Sequence, residues 1–445
     1  MMKKYLLVLA ACCCVLPSAA LDVLGAYTVR PPEGCVDKDV TSEEMNLEDL
    51  IQVSICTNPS LAADYMGVKA SEAGLGSSRA EYLPGITISG TGNIAGERPE
   101  GGSYTQAEPY SAKAQASWLL FDFGGRGARV SRTRAYLDAA NFGYNASLQN
   151  LVLSVQTAYL NLLAAEESLV SSKASLDTYK QSYDEAQKRY KLGMVSLSDK
   201  LQAKTRYEQA LLAVVQHENQ VKQFSGNLAV LLNLTPDTPI RLAKPTYDEK
   251  FIQIEGDNVA EMMKTALAQR PELRAQESNT QAQKANLTAA KTRMLPTISA
   301  NASAAYNDNW KYSHPYGLEN AAGVSISMPL FSGFSNMYQT AQASYQYKQS
   351  QSQTENLKRQ IENEVWSAYQ NYKTALRSYQ ISQTVLESAE ENERVAFRYY
   401  EVGKGDIINL LTAVAQLADA RQNKITAFYS LLLSKANLYK SIGKY

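Results

Sequence analysis

Residues 148–176 read LQNLVLSVQTAYLNLLAAEESLVSSKASL, and an apolar residue recurs in this stretch at every seventh position. These positions are Leu148, Val155, Leu162, Leu169 and Leu176, with Leu151, Ala158 and Ala165 between them. Apolar residues at the a and d positions of a heptad predict a helix that packs along a left-handed coiled-coil seam. The seam is narrow and the other faces are polar, which is typical of a helical wall with water on both sides.

The predicted helix is long. After the glycine-bearing turn at residues 121–125, about 66 residues follow without a proline, which corresponds to roughly 100 Å of helix at about 1.5 Å per residue. We expect the chain to reverse at Gly193, and a return helix then runs to Leu234.

The same pattern occurs twice in the chain of 445 residues. The matching pairs include Pro59 and Pro271, Pro84 and Pro296, Phe121 and Phe331, Tyr190 and Tyr400, and Gly193 and Gly403. The two prolines are 25 residues apart in both halves, and the step from phenylalanine to glycine is 72 residues in both. We therefore predict two tandem repeats, residues 47–234 and 258–445, joined by a proline-bearing linker over residues 235–257.

Each repeat begins with a helix-like run of about 30 residues that ends before a proline, and two stretches of alternating apolar and polar residues follow. The alternating stretches lie at about residues 85–95 and 112–121 and, in the second repeat, at about residues 297–306 and 322–331. Such strands have one apolar and one polar face and suit a barrel wall between lipid and water, with Trp118 and Tyr306 as interfacial aromatic residues. On the alternation alone, a half-buried hairpin of a soluble protein is an equal alternative.

Four strands per chain are too few for a closed barrel, because small barrels begin at about eight strands. After residue 20 the chain has no run of 18 apolar residues, so a membrane crossing would require strands that close into a ring. We therefore predict a mainly α protein with a small transmembrane β part, in two repeats ordered helix, β-hairpin, long helix and return helix. Three copies would then form a 12-stranded β-barrel, three times four strands, that continues into a long α-helical coiled-coil tube.

Residues 1–20 predict a signal peptide. Lys3 and Lys4 precede an apolar run, and small residues follow it up to Ala20. Leu9-Ala10-Ala11-Cys12 also fits a lipoprotein processing site, so lipidation of Cys12 is the alternative to ordinary cleavage after Ala20, which we favour.

An N-terminal segment over residues 21–46 separates the signal peptide from the first repeat. Cys35 and Cys56 are the two cysteines beyond residue 20. Export to an oxidising compartment favours a disulfide bond between them over two free thiols.

The residue pattern does not favour catalysis or nucleic-acid binding. The 44 basic residues balance 44 acidic ones, so no basic footprint indicates nucleic acid. His217 and His314 are far apart, no carboxylate or cysteine cluster has metal-ligand spacing, and no Gly-rich phosphate loop is present. Asp122-Phe123-Gly124 matches a kinase triplet, but a helix-starting turn explains it better. We expect no enzyme activity, no cofactor and no metal site.

The predicted helix tips read YKLGMVSLSD at residues 190–199 and YEVGKGDIIN at residues 400–409. With the duplicated order and the Leu-Pro strand entries, they make the chain resemble the TolC family of outer-membrane efflux and secretion channels, from about Leu47 to Ile442. The resemblance implies a homotrimer in outer-membrane lipid, with its helical part in the periplasm. It implies a passive exit duct for drugs or proteins in a tripartite efflux pump or a type I secretion system. It also implies a periplasmic adaptor (membrane fusion) protein and an inner-membrane transporter as partners.

The resemblance also implies a gate at the helix tips. In the family, a tyrosine before the second tip and an aspartate after the first close the entrance, and the matching residues here are Tyr400 and Asp199. A hydrogen bond between them would be a charge-assisted latch, with two exposed, unpaired residues as the alternative.

The entrance of this chain differs in two ways from that of the family's type protein. The type protein has two aspartates at the positions of Asn409 and Thr412. The constriction in this chain is therefore either neutral, or acidic through Asp406, which lies about one turn away. Gly405 occupies the position of an arginine of that protein, next to Lys404. The adaptor contacts implied at the tips are Leu192, Gly193, Met194, Val402, Gly403 and Lys404.

The alternative function is an exported trimeric coiled-coil fibre or stalk without a channel. It would explain the heptads and the signal peptide. It would not explain two alternating hairpins at the same register of a duplicated chain.

Overall fold

The computed structural model describes residues 44–97, 100–102, 104–107, 109–243, 254, 258–309 and 317–444. Most of these residues are helical, and a small antiparallel sheet is the main other element. The predicted signal peptide, Cys12 and Cys35 lie outside the described residues, as does part of the predicted linker.

The elements occur in the same order in both halves of the chain. The first half contains α1 (Leu47–Thr57), α2 (Pro59–Ala80), β1 (Gly85–Gly92), β2 (Ala95–Glu97), β3 (Thr105–Ala107), β4 (Pro109–Phe121), α3 (Gly125–Lys191) and α4 (Leu197–Leu231). The second half contains α5 (Val259–Gln269), α6 (Pro271–Thr292), β5 (Thr297–Asn309), β6 (Gly317–Ser327), α7 (Ser335–Glu401) and α8 (Ile407–Ile442). The long helices α3 and α7 have 67 residues each, so the prediction of two repeats is confirmed.

The helix-like run that opens each repeat is two helices rather than one. Asn58 and Arg270 each precede a proline, and both have extended backbone with ψ of 118° and 122°. Proline disfavours the helical conformation in the residue before it, yet it is well tolerated in the first turn of a helix. α2 and α6 therefore begin anew at Pro59 and Pro271.

The chain folds as two compact units, and one of them holds the helix tips. This unit takes the described residues of Met1–Ala63, Asn150–Ile254 and Tyr372–Ala436. One of its apolar cores contains the heptad residues Val155 and Leu162 of α3, packed with Leu228 of α4 and Leu432 of α8. The predicted seam is thus a buried face of α3 in this part of the helix.

The other unit takes the described residues of Asp64–Gln149, Glu255–Asn371 and Asn437–Tyr445, and it contains the sheet. Four antiparallel strands lie in the order β1-β4-β5-β6, and β2 and β3 form a separate two-stranded ladder. Within the described residues, β1 and β6 each pair with one neighbour in this sheet, so each leaves one edge open.

The register collects the apolar side chains of the four strands on one face of the sheet. Ala116 pairs with Ile86 on one side and with Ala302 on the other. Since side chains alternate between faces along a strand, this face also carries Ile88, Trp118, Ala300, Val324 and Ile326. The apolar face is open in the single chain, where Ile326 is 72% exposed. The opposite face is mainly Ser, Thr, Asn and Gln.

All four strands differ from the prediction at a boundary. β4 begins at Pro109 rather than near residue 112, and β5 ends at Asn309 rather than near residue 306. β6 covers Gly317–Ser327 rather than residues 322–331, because Pro329 has no N–H group to donate to a ladder. β1 ends at Gly92 rather than near residue 95, and Ala95 belongs to the separate β2–β3 pair.

The turn between β4 and α3 contains the Asp-Phe-Gly triplet. Phe123 and Gly124 have positive φ of 50° and 90°, and the Asp122 carboxylate accepts the backbone N–H of Arg126 at 2.6 Å. The triplet is therefore a capped helix start, as the sequence indicated.

None of the helices in the described part of the chain combines the length and the apolar character needed to cross a membrane.

Candidate gate at the helix tips

The two helix tips share one backbone geometry. Gly193 and Gly403 both have φ of +74°, a left-handed conformation that glycine adopts without a steric cost. After α3, the N–H of Met194 donates to the carbonyl of Arg189 at 2.9 Å and that of Gly193 to Tyr190 at 3.0 Å. This pair of bonds is a Schellman motif, which satisfies the last carbonyls of the helix. The second tip repeats both bonds, from Lys404 to Tyr399 and from Gly403 to Tyr400.

Each return helix begins with an acidic side chain that caps it. Asp199 and Ser196 form a capping box, in which each side chain accepts the other residue's backbone N–H at 3.1 Å. Asp406 accepts the backbone N–H of Asn409 at 2.8 Å and its side-chain N–H at 3.0 Å. Both carboxylates thus neutralise the positive end of a helix.

The tip residues predicted to contact the adaptor are accessible in this chain. Leu192, Met194 and Val402 are large apolar side chains that remain exposed, and Gly193, Gly403 and Lys404 are exposed as well. Their contact with an adaptor remains a prediction.

A buried cluster joins the two hairpins behind the tips, and we name it the tip cluster. Its buried members are Tyr179 and Ala186 of α3, Ala203 and Ala210 of α4, Tyr400 of α7, and Ile407, Leu410, Leu411 and Val414 of α8. Tyr400 is only 2% exposed. Its counterpart in the first repeat, Tyr190, is partly exposed, with the ammonium group of Lys200 over its ring at 5.2 Å.

Arg189 supplies a charge at the edge of the tip cluster. Its guanidinium lies 4.7 Å from the centre of the Tyr400 ring. Its Nε donates to a Glu185 carboxylate oxygen at 3.0 Å, and an Nη donates to the backbone carbonyl of Glu401 at 2.6 Å. Arg189 is 9% exposed, so these contacts replace most of its water.

The structure places Asp199 and Tyr400 near the same cluster without joining them. Among the described residues the Tyr400 hydroxyl is buried and has no hydrogen-bond partner, while Asp199 is bonded to Ser196. Burial raises the pKa of the Tyr400 hydroxyl, the charge of Arg189 opposes this shift, and the charges of Glu185 and Asp199 add to it. The predicted latch is therefore not formed in the single chain, and it stays a prediction for the assembled protein.

The residues at the predicted constriction lie on the exposed side of α8. Asn409 and Thr412 are exposed, and the Thr412 hydroxyl donates to the carbonyl of Ile408 at 2.7 Å. Asp406 is exposed too, but both of its oxygens accept from Asn409. No group of three His, Cys, Asp or Glu residues in the described ranges could hold a metal ion.

The sequence did not single out Arg189, and it identified Gly405 only as a departure from the family type protein. An added Cβ at Gly405 would lie 3.2 Å from the backbone nitrogen of Tyr400 and 3.3 Å from Tyr399, so this position favours glycine over the arginine of the family type protein. The signal for the Ser196–Asp199 capping box was present, because Ser-x-x-Asp ahead of an apolar run is its usual pattern.

Cys56 of α1 is disulfide-bonded. Its predicted partner, Cys35, lies outside the described residues, so this pairing stays a prediction.

Comparison with known proteins relates most of the chain to one family. The profile described as "Outer membrane efflux protein" matches residues 50–234 and 262–444. Protein CyaE of Bordetella pertussis is 26% identical over 385 residues, which cover 86% of this chain and 81% of the relative. Outer membrane protein TolC of Escherichia coli is 23% identical over 422 residues, which cover 90% and 83%.

Solved structures show the same fold. A crystal structure of CusC, described in relation to folding and transmembrane channel formation, has a TM-score of 0.80 with this chain. The match has 20% sequence identity and covers 90% of this chain and 92% of that one.

Proposed function

Because the chain belongs to the outer membrane efflux protein family, we propose that it is the outer-membrane exit duct of a tripartite efflux pump or a type I secretion system. The duct conducts drugs or proteins passively from the periplasm and an inner-membrane transporter to the exterior. It has no enzymatic activity of its own, and its helical part lies in the periplasm.

The observation that carries this proposal is the four-stranded sheet. One face is apolar from β1 to β6 and open to solvent in the single chain, and the other is polar, as a wall between lipid and an aqueous lumen requires. In an exported fibre surrounded by water, a wide apolar sheet face would be unfavourable, so the sheet favours the duct.

The open edges of β1 and β6 support assembly with further copies. An unpaired strand edge is not tolerated in lipid, because its N–H and C=O groups have no water to bond. In the proposed homotrimer, β6 of each copy pairs with β1 of the next, which closes a ring of twelve strands from three copies of the four-stranded sheet. A periplasmic adaptor protein then docks at the exposed tips and couples the duct to the transporter.

Two neighbouring residues of β6 provide a sharp test of the membrane face. Ala322 lies on the apolar face, opposite Ala302, and Ala321 lies on the polar face, opposite Ser303. Both are near the middle of β6, and arginine on a lipid-facing strand position costs about 2–4 kcal/mol near the bilayer centre but only about 0–1 kcal/mol near the interfaces. We expect Ala322→Arg to reduce the heat-modifiable trimer recovered from outer membranes, while Ala321→Arg assembles normally. Equal yields of the two variants, or a wild type that is a stable monomer in mild detergent, would contradict the proposal.

The cargo requires a cellular experiment. Deletion of the gene, followed by profiling of both drug sensitivity and the secreted proteome, separates the two systems. Increased drug sensitivity with an unchanged secretome indicates an efflux pump, and loss of one secreted protein indicates type I secretion. Complementation with the wild type and with Ala322→Arg provides the matched controls.

A further inference from the structure

We propose that Arg189 is a positioning residue of the gate, which holds the end of α7 against α3 within each protomer while the entrance is closed. The proposal rests on the proposed channel function. It concerns contacts within one chain, and it is separate from the predicted latch between Asp199 and Tyr400.

The first contact that carries this proposal is at the end of α7. The helix ends at Glu401, and the last carbonyls of a helix have no partner within it and form its negative end. The guanidinium of Arg189 donates to the Glu401 carbonyl at 2.6 Å. The cation of Arg189 on α3 therefore binds the C-terminal end of α7 through a backbone carbonyl. This contact does not depend on which side chain is present at position 401.

The second contact is the aromatic ring next to that carbonyl. The guanidinium of Arg189 lies over the Tyr400 ring at 4.7 Å, a distance at which a buried cation and an aromatic face attract each other. Glu185, one turn earlier on α3, accepts from Nε at 3.0 Å and fixes the orientation of the guanidinium. The planar group thus contacts a carboxylate, a ring and a carbonyl together, which an ammonium group could not do.

The arrangement occurs in only one of the two repeats. With the offset of 210 residues between Gly193 and Gly403, the residue that corresponds to Arg189 is Tyr399, which is 54% exposed. Arg189 therefore links the second hairpin to the first. At the equivalent position, α7 has no cation that could bind the C-terminal end of α3. Outward movement of the second hairpin must withdraw the Glu401 carbonyl and the Tyr400 ring from Arg189.

The test measures closed-state conductance of the full-length protein in planar bilayers. We expect Arg189→Ala to raise this conductance several-fold, and Arg189→Lys to raise it too, because lysine keeps the charge but not the three simultaneous contacts. Arg398→Ala is the matched control, since Arg398 pairs with the side chain of the same Glu401 at 3.0 Å and is largely exposed. This control should conduct like the wild type.

Chemical rescue separates positioning from general loss of structure. Millimolar guanidinium chloride should lower the conductance of Arg189→Ala towards the wild-type level, and the same concentration of sodium chloride should not. If Arg189→Ala does not assemble, Arg189→Lys decides the question. Wild-type conductance in that variant, or an assembled Arg189→Ala channel that guanidinium does not affect, would overturn the proposal. A wild type that forms no channels would instead contradict the proposed function.

Discussion

The guanidinium of Arg189 lies over the aromatic ring of Tyr400, 4.7 Å from the ring centre, across the two helical hairpins of one chain. The equivalent tyrosine of the first repeat, Tyr190, instead has the ammonium of Lys200 over its ring at 5.2 Å, within its own hairpin. The duplicated sequence is therefore used asymmetrically. The second tip is anchored to its neighbour, and the first tip is not anchored in this way.

Alkaline pH should loosen the tip cluster through Tyr400. Burial raises the pKa of this hydroxyl above its ordinary value, which is about 10. The folded state favours the neutral form of the Tyr400 hydroxyl. This preference stabilises the folded state fully below about pH 10, and the stabilisation is lost as the pH rises through the higher pKa that the hydroxyl has in the folded state. We expect closed-state conductance to increase above about pH 10, and Tyr400→Phe to reduce that increase and shift its midpoint.

Tyr179 provides the control for this titration. It belongs to the same cluster, and burial raises its pKa as well, but it is not the ring that Arg189 covers. Tyr179→Phe should therefore keep the alkaline increase in conductance. The same midpoint in wild type and Tyr400→Phe would assign the increase to another group.

The predicted latch can be separated from helix capping with two variants of one capping box. Asp199→Ala removes the carboxylate that would accept the latch hydrogen bond, and it also breaks the capping box with Ser196. Ser196→Ala breaks the same capping box but keeps the Asp199 carboxylate. Loss of the Ser196 N-cap costs about 1 kcal/mol, and Asp199→Ala removes the reciprocal bond of the same capping box. We expect closed-state conductance to rise more in Asp199→Ala than in Ser196→Ala, because only the former prevents a bond to Tyr400 in the assembled channel. Equal conductance in the two variants would reject the latch.

The tip glycines should be sensitive to substitution because of their backbone. Alanine in the left-handed region costs about 1–2 kcal/mol, so Gly193→Ala and Gly403→Ala should each lower the stability of the tips, measured by amide hydrogen exchange of residues 190–199 and 400–409. Gly67→Ala in α2 is the control. A Cβ there meets nothing within 4 Å, and alanine in a helix is favoured over glycine by roughly 0.5–1 kcal/mol. Slower exchange at the tips in Gly403→Ala would contradict this prediction.

The fold could be predicted from the sequence because its signals are periodic. The heptad spacing of Val155 and Leu162 predicted a buried seam, and both side chains are buried in the core. The alternation around Ala116 and Ala302 predicted an apolar face, and the register places these residues side by side. A periodic pattern survives local irregularities, since many residues contribute to it. A helix break depends on a single proline, and the prediction overlooked the breaks at Pro59 and Pro271.

The tip chemistry could be predicted only in part. The last turn of α3 contains Lys188, Arg189 and Lys191, which look equivalent in sequence as cations at a helix end. The rotation of the helix decides between them, because it exposes both lysines and turns Arg189 towards Tyr400. The resemblance to the TolC family identified Tyr400 and Asp199, but it could not show that Asp199 already caps α4.

Multivalent cations should block the channel only weakly. Asn409 and Thr412 are uncharged, and the oxygens of Asp406 accept from Asn409 at 2.8 Å and 3.0 Å at the start of α8. A carboxylate that is held by its own helix is less available to a cation in the lumen. We expect the double variant Asn409→Asp with Thr412→Asp to convert weak block into strong block, measured as the decrease in single-channel current with added trivalent cation.

The neutral variant of Asp406 determines whether this residue contributes to the block. Asparagine caps a helix about as well as aspartate, so Asp406→Asn removes the charge and leaves the start of α8 in place. Because Asp406 is engaged by Asn409, the weak block of the wild type should be unchanged in this variant. If the wild type is blocked strongly and Asp406→Asn abolishes that block, Asp406 supplies an acidic ring and the entrance is not neutral.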